Sequence, residues 1–158
     1  MATRIVIIGA GIIGLATARA VSRRLPDAEI TVLEKADRIA AHQSGHNSGV
    51  LHSGIYYTPE SLRARTCQSG LGMMENYCQE HGVAWKRCGK VIVATCEDEL
   101  PRLEMLHQRG IQNGVSCSPL SESELKKHEP HVRGIAALHV PSTGVVDYVG
   151  VCRALASE

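Results

Sequence analysis

Arg4-Ile5-Val6-Ile7-Ile8-Gly9-Ala10-Gly11-Ile12-Ile13-Gly14 is the stretch that decides the fold. The run from Arg4 to Ile8 is rich in β-branched residues and bounded by glycine. It predicts a strand buried on both faces, as in a parallel sheet. The six residues that follow match G-x-G-x-x-G. Such a match is weak alone, but here it leaves a strand and enters a helix, which is the context that gives it meaning. From Ile12 to Arg24 the small and apolar residues Ile13, Leu15, Ala16, Ala18, Ala20 and Val21 suit a helix packed on a sheet, and Pro26 and Asp27 end it. Glu29-Ile30-Thr31-Val32-Leu33 is a second strand. Strand, helix and strand in this length make a βαβ unit with a right-handed crossover.

Each glycine of the motif has a physical task. Gly9 permits the tight turn, Gly11 lets backbone approach a pyrophosphate, and Gly14 lets helix and strand pack closely. Backbone N–H groups at the helix N-terminus, that of Ile13 among them, then face the phosphates. Glu34 ends the second strand about twenty residues past Gly14, where a carboxylate accepts hydrogen bonds from the adenosine ribose. A carboxylate there would repel a 2′-phosphate. The βαβ unit is therefore expected to bind an adenine dinucleotide, either NAD or FAD. Lys35 sits near the adenosine or simply on the surface.

Outward from this unit, the 158 residues suffice for one ordinary domain with a real core. A net charge of +1 gives no electrostatic case for nucleic acid or an acidic partner. Phe is absent and Trp85 is the single tryptophan, so aliphatic side chains must fill the core. There are no aromatic platforms for stacking bases. Cys67, Cys78, Cys88, Cys96, Cys117 and Cys152 form no C-x-x-C pair. They are expected to be small buried hydrophobes in a reducing cytoplasm rather than a metal site. The N-terminus lacks signal-peptide architecture, and no apolar stretch is long enough for a bilayer.

The segment from Ala36 to Gly54 is polar, glycine-containing and without periodicity, and a loop of that length is uncommon unless functional. Thr58 is placed to cap a helix with Pro59 at its first position, running to Glu80 and stopped by His81-Gly82. Val83 to Cys88 and Lys90 to Thr95 read as two strands about Gly89. Glu97 to Gln112 reads as a helix, with its acidic residues at the favourable end. Ser121-Glu122-Ser123-Glu124 fits a capping box for a short helix closed by Pro130. Ile135 to Val140 is a strand, Pro141 to Gly144 a turn, Val145-Val146 extended again, and Asp147 a cap for a final helix still running at Glu158.

The block His42-Gln43-Ser44-Gly45-His46-Asn47-Ser48-Gly49-Val50-Leu51-His52-Ser53-Gly54-Ile55-Tyr56-Tyr57 stands where a plain NAD domain would start a third βα unit. It resembles the FAD-dependent D-amino-acid-oxidase-like superfamily, and within it the L-2-hydroxyglutarate dehydrogenase/oxidase family. The resemblance continues through Cys88 to Thr95 and Pro141 to Tyr148, so it covers essentially the whole chain. Members of that family are far longer, on the order of two to three domains. The resemblance, with the uncapped end at Glu158, implies an N-terminal portion: a Rossmann-like FAD-binding βαβ unit with part of a mixed α+β substrate domain. Residues 1–82 would begin the FAD-binding domain, 83–146 would be a partial substrate domain, and 147–158 would return to the first.

The resemblance further implies oxidation of L-2-hydroxyglutarate to 2-oxoglutarate, with hydride transfer to flavin. His52 is the candidate base, since a neutral histidine titrates near working pH. The alternative is a histidine bonded only within the loop or to FAD. Ser44, Asn47, Ser48, Gly49 and Val50 join Gly9, Gly11, Ile13, Gly14, Glu34 and Lys35 as candidate FAD contacts; some of these side chains stabilise turns instead. Tyr56 and Tyr57 either shape the substrate site or pack with satisfied hydroxyls. His46 touches cofactor or lies in solvent. Arg63, Arg65, His128 and His131 read as surface, and no metal ligands are expected. A carboxylate clamp is not identifiable. The resemblance implies quinone or oxygen as electron acceptor and peripheral contact at the inner membrane; with no amphipathic anchor in sight, the expected location is cytoplasmic. Three alternatives stay open: an amine or amino-acid oxidase of the same superfamily, an NAD-dependent dehydrogenase, and a non-catalytic FAD-binding remnant.

Overall fold

The computed structural model describes residues 3–158. In chain order the elements are β1 (Arg4–Ile8), α1 (Ile12–Arg24), β2 (Glu29–Leu33), β3 (Val50–Leu51), α2 (Leu62–Glu80), β4 (Trp85–Arg87), β5 (Lys90–Ala94), α3 (Leu100–Gln112), β6 (Ser118–Ser121), α4 (Glu122–His128), β7 (Ala136–Val140), β8 (Gly144–Val146) and α5 (Tyr148–Ser157). They fall into two compact units. The first holds the described residues up to Gly49, Tyr77–Ala84 and Val146–Glu158; the second holds Val50–Asn76 and Trp85–Val145.

In the first unit β1 and β2 pair in parallel, with register from Arg4 opposite Glu29 to Ile8 opposite Leu33. Helix α1 connects them, as the sequence requires. Helix α5 packs on α1. Between them lies a core of Ala10, Leu15, Ala40 and Cys152, joined by Val32, Ile39, Val149 and Leu155. Asp147 caps α5 as expected, its carboxylate accepting the Gly150 N–H at 2.9 Å. Gly82 closes α2 at φ 64°, while the Val83 N–H reaches back to the Cys78 carbonyl. One expectation fails here. Strand β1 is covered on one face only, with Val6 58% and Ile8 88% exposed and Leu33 of β2 52% exposed. No element of the first unit lies on that face among the described residues.

The second unit carries two antiparallel sheets, ordered β3-β8-β4 and β5-β7-β6. Its core is aliphatic, as the lack of phenylalanine dictates: Ile55, Val115 and Val140 in one cluster, Leu103, Leu106 and Leu138 in another, Leu120, Leu125 and Ala137 in a third. Ser121 forms the expected capping box with Glu124 at the start of α4.

The two strands expected about Gly89 (φ 70°) form, and they join different sheets. Other local expectations are corrected. Helix α2 starts at Leu62, capped by the Ser61 hydroxyl on the Ala64 N–H; Glu60 at φ 63° breaks any helix begun at Thr58. Strands β3 and β6 are additions to what the sequence shows: β3 is two residues within the polar loop region, and β6 contains Pro119. The sheet tolerates that proline because β6 is an edge strand. Of the cysteines only Cys78 and Cys152 are buried, and Cys88 and Cys96 are exposed.

Candidate functional site

The glycine motif folds into a cradle at the start of α1. Gly9 adopts φ 104°, a conformation other residues avoid, and its N–H bonds to the Leu33 carbonyl at 2.7 Å. A Cβ on Gly14 would overlap the Gly9 carbonyl oxygen, so strand and helix approach as closely as backbone allows. A Cβ on Gly11 would lie 3.1 Å from the Ser44 hydroxyl oxygen. The first N–H groups of a helix lack partners within it. Here Ser44 Oγ accepts that of Ile12 at 2.9 Å, and the Gly11 carbonyl accepts that of Leu15 at 3.0 Å. The N–H groups of Ile13 and Gly14 remain as donors for a phosphate, and no acidic side chain in the first turn opposes one.

Glu34 is where the sequence puts it, but it already has a structural duty. Its Oε2 accepts the Ala10 N–H at 2.8 Å and its Oε1 the Ala36 N–H at 3.0 Å. These bonds hold its carboxyl below the usual range, that from Ala10 contributing most. An ionised carboxylate accepts about four hydrogen bonds, so capacity remains for ribose hydroxyls. Glu34 also borders a cavity of about 400 Å³ lined by Ala10, Val32 and Ile39. The cradle, the donors and the spare acceptor capacity fit an adenine dinucleotide. Because the folded pKa is lowered, the stabilisation Glu34 gives is present above its unfolded value and is lost as pH falls through the folded one. The melting temperature should therefore drop more steeply in acid for wild type than for Glu34→Gln, measured from about pH 6 to about pH 3.

The loop expected to touch cofactor turns out to bind itself. The Asn47 amide donates to the carbonyls of Gln43 (3.1 Å) and Ser44 (2.8 Å) and accepts the Gly49 N–H at 2.7 Å. Gly49 sits at φ 68°, and its carbonyl accepts the Val146 N–H. The Ser44 hydroxyl accepts the Ile12 N–H of α1. Ser48, His46 and Lys35 are exposed, as is the side chain of Ile13 at 78%, and Val50 lies in β3 opposite Val145. Ser44→Ala removes the acceptor of the Ile12 N–H and should cost ~0.5–2 kcal/mol, as loss of a helix cap does. Chemical denaturation measures it.

A separate group of polar side chains gathers in the second unit around His52. The His52 side chain is exposed, but burial of part of the ring, and then the nearby Lys90 ammonium, lower its pKa. Its carbonyl accepts the Cys67 thiol at 3.2 Å. Lys90 Nζ stands 4.2 Å from the centre of the Tyr56 ring. Arg109 donates to the Tyr56 carbonyl at 3.0 Å, and buried Asn113 donates to the carbonyls of Gly54 and Tyr57. Ser53 is buried, and its hydroxyl has no partner among the described residues. The structure thus brings His52 and Tyr56 together and adds Lys90, Cys67 and Ser53, to which the sequence reading gave no role. Lys90 is the one charged residue in the strand KVIVA, and that was the available signal. Arg63, Arg65, His128 and His131 are exposed, as expected.

The profile of the DAO family, described as FAD dependent oxidoreductase, matches residues 4–158. The chain belongs to this family of FAD-dependent oxidoreductases. The mitochondrial L-2-hydroxyglutarate dehydrogenase of Homo sapiens is 51% identical over 155 residues, covering 98% of this chain and 34% of the relative. The L-2-hydroxyglutarate dehydrogenase of Indibacter alkaliphilus is 44% identical over 146 residues, covering 92% and 37%. Among solved structures, dithionite-reduced L-alpha-glycerophosphate oxidase from Mycoplasma pneumoniae with FAD bound superposes with TM-score 0.89 at 33% identity, covering 99% of this chain and 42% of that one. The chain spans about a third of the length of the curated relatives it matches. The family expected from the His42–Tyr57 block is borne out, and with it FAD, not NAD, as the dinucleotide. Among the described residues no helix is long and apolar enough to cross a membrane.

Proposed function

We propose that this chain contributes to an enzyme that oxidises L-2-hydroxyglutarate to 2-oxoglutarate. The observation that carries the reading is the 51% identity, spread over 98% of the chain, to a protein of that name. Residues 1–82 and 147–158 serve the FAD-binding domain and 83–146 the substrate domain. The N–H groups of Ile13 and Gly14 hold the pyrophosphate, with Gly9 and Gly11 giving it room. Glu34 takes the ribose hydroxyls, and Lys35 lies at the adenosine end. Ser44, Asn47, Ser48, Gly49 and Val50 form the loop along the cofactor; Ser44 and Asn47 act by fixing its shape. FAD, when bound, supplies the hydride acceptor. A ring nitrogen of neutral His52 takes the substrate hydroxyl proton as the carbonyl forms. The lowered pKa of His52 supports this role, since it keeps a lone pair available at neutral pH. Tyr56 and Tyr57 line the substrate side. Electrons leave to quinone or oxygen, in a cytoplasmic protein with peripheral contact at the inner membrane.

The test is anaerobic mixing of the FAD-loaded protein with L-2-hydroxyglutarate. Bleaching of the flavin band supports the reading. A spectrum that stays unchanged with this substrate but bleaches with L-alpha-glycerophosphate or an amino acid replaces it.

A further inference from the structure

We propose that Lys90 binds a carboxylate of the substrate beside His52, its ammonium positioned by the ring of Tyr56. The assignment deepens the 2-hydroxy-dicarboxylate reading and rests on it.

Lys90 opens β5, and the four residues after it are apolar. Its side chain is half-buried, not snorkelling free into water. No carboxylate lies within ion-pair distance of it among the described residues. The ammonium instead faces the Tyr56 ring at 4.2 Å. A ring face attracts a cation without neutralising it, so a full positive charge is left in a partly dry place. Structural lysines rarely stay that way, because burial of an unpaired charge is unfavourable. A substrate carboxylate is the missing counter-ion.

Two further contacts locate this charge. Its charge is felt by both His52 and the Cys67 thiol of α2, and that thiol bonds the His52 carbonyl at 3.2 Å, so the ammonium lies close to the candidate base. Tyr56 is itself held by Arg109, which bonds its carbonyl at 3.0 Å. The ring beneath the ammonium is therefore anchored through its backbone. Arg102 is the rival cation. It borders a cavity of about 170 Å³ together with Tyr56, but this space is walled by Ile92, Val93, Leu103 and Leu106, and Glu99 sits in the same wall. A carboxylate there would meet Glu99. Lys90 has no such competitor.

Glutarate, which carries both carboxylates and no oxidisable hydroxyl, is the probe. Its dissociation constant is measured by calorimetry on the FAD-loaded protein for wild type, Lys90→Met, Lys90→Arg and Arg102→Met, with the neutral diamide glutaramide as control. Lys90→Met should weaken glutarate about 10- to 100-fold, the factor one charge-assisted hydrogen bond carries, and leave glutaramide unchanged. Lys90→Arg should recover most of the loss. In turnover the same variant should raise KM for L-2-hydroxyglutarate more than it lowers kcat. Undiminished glutarate binding by Lys90→Met, or a loss confined to Arg102→Met, overturns the assignment. If wild type binds no glutarate at all, the dicarboxylate reading itself falls. Equal flavin content and melting temperature across the variants show that each has folded.

Discussion

Gly14→Ala will purify without flavin. The added methyl has nowhere to go: it would overlap the Gly9 carbonyl oxygen, which is backbone and cannot rotate aside. Either α1 moves off β1 or the Gly9 turn opens, and both dismantle the cradle. Overpacking of a rigid site costs on the order of 3 kcal/mol, a large share of the ~5–15 kcal/mol that holds a domain together. Flavin absorbance of the purified protein and its thermal melt measure the effect. Gly70→Ala is the matched control. Gly70 lies within α2 with open space where the methyl would go, so the same change there should stabilise by ~0.5–1 kcal/mol. A Gly14→Ala protein that keeps its flavin and melts like wild type would refute the close-packing account.

His52→Asn will do the opposite: it will keep flavin and lose chemistry. In the proposed function FAD is held by the glycine cradle and the loop from Ser44 to Val50 and not by His52, so cofactor retention should not depend on it. Loss of a positioned general base costs ~10²–10⁴-fold in rate, read as the rate of flavin bleaching by L-2-hydroxyglutarate. The pH profile adds a signature that a purely structural histidine would not show. The pKa of His52 lies below its ordinary 6.5, through partial burial and the Lys90 charge. The acid limb of kcat/KM should therefore fall below pH 6.5, because the base is protonated only at lower pH. Removing the ammonium in Lys90→Met should move that limb upward, and Lys90→Arg should hold it. An acid limb unmoved by Lys90→Met would detach Lys90 from His52; a fully active His52→Asn would end its candidacy as base.

The two halves of the chain differ in how much their residues disclose. The βαβ unit was legible because each of its signals is local. A β-branched run, three glycines at fixed spacing and a carboxylate at the end of the next strand define strand, turn and helix without help from distant residues. The cap at Asp147 and the capping box at Ser121 were legible for the same reason. Partnership between distant strands was not. Nothing in Val83 to Thr95 tells that β4 pairs with β8 and β5 with β7, since flanking strands about a glycine look like a hairpin either way. Lys90 shows the same limit at the level of the site. Its neighbours His52, Tyr56 and Cys67 lie between 23 and 38 positions away in sequence, and only the fold brings them to it. Asn47 is a candidate cofactor contact on sequence, but a sequence cannot say whether an amide faces a ligand or its own backbone. Here three bonds show that it faces its own backbone.

That self-bonded loop has a consequence for the entropy and speed of cofactor capture. Fixing a residue's backbone costs ~1–2 kcal/mol in conformational freedom. Between Gln43 and Gly49 that cost is met when the chain folds, through Asn47 and the Ser44 link to α1, and not when a ligand arrives. A dinucleotide bound along this loop as proposed has little left to organise, so its association should be a single fast phase without a slow loop-closing step. Asn47→Ala would move the ordering to the moment of binding. Flavin would then enter a mobile edge, and the association trace would acquire the slow phase that the wild-type loop has already removed.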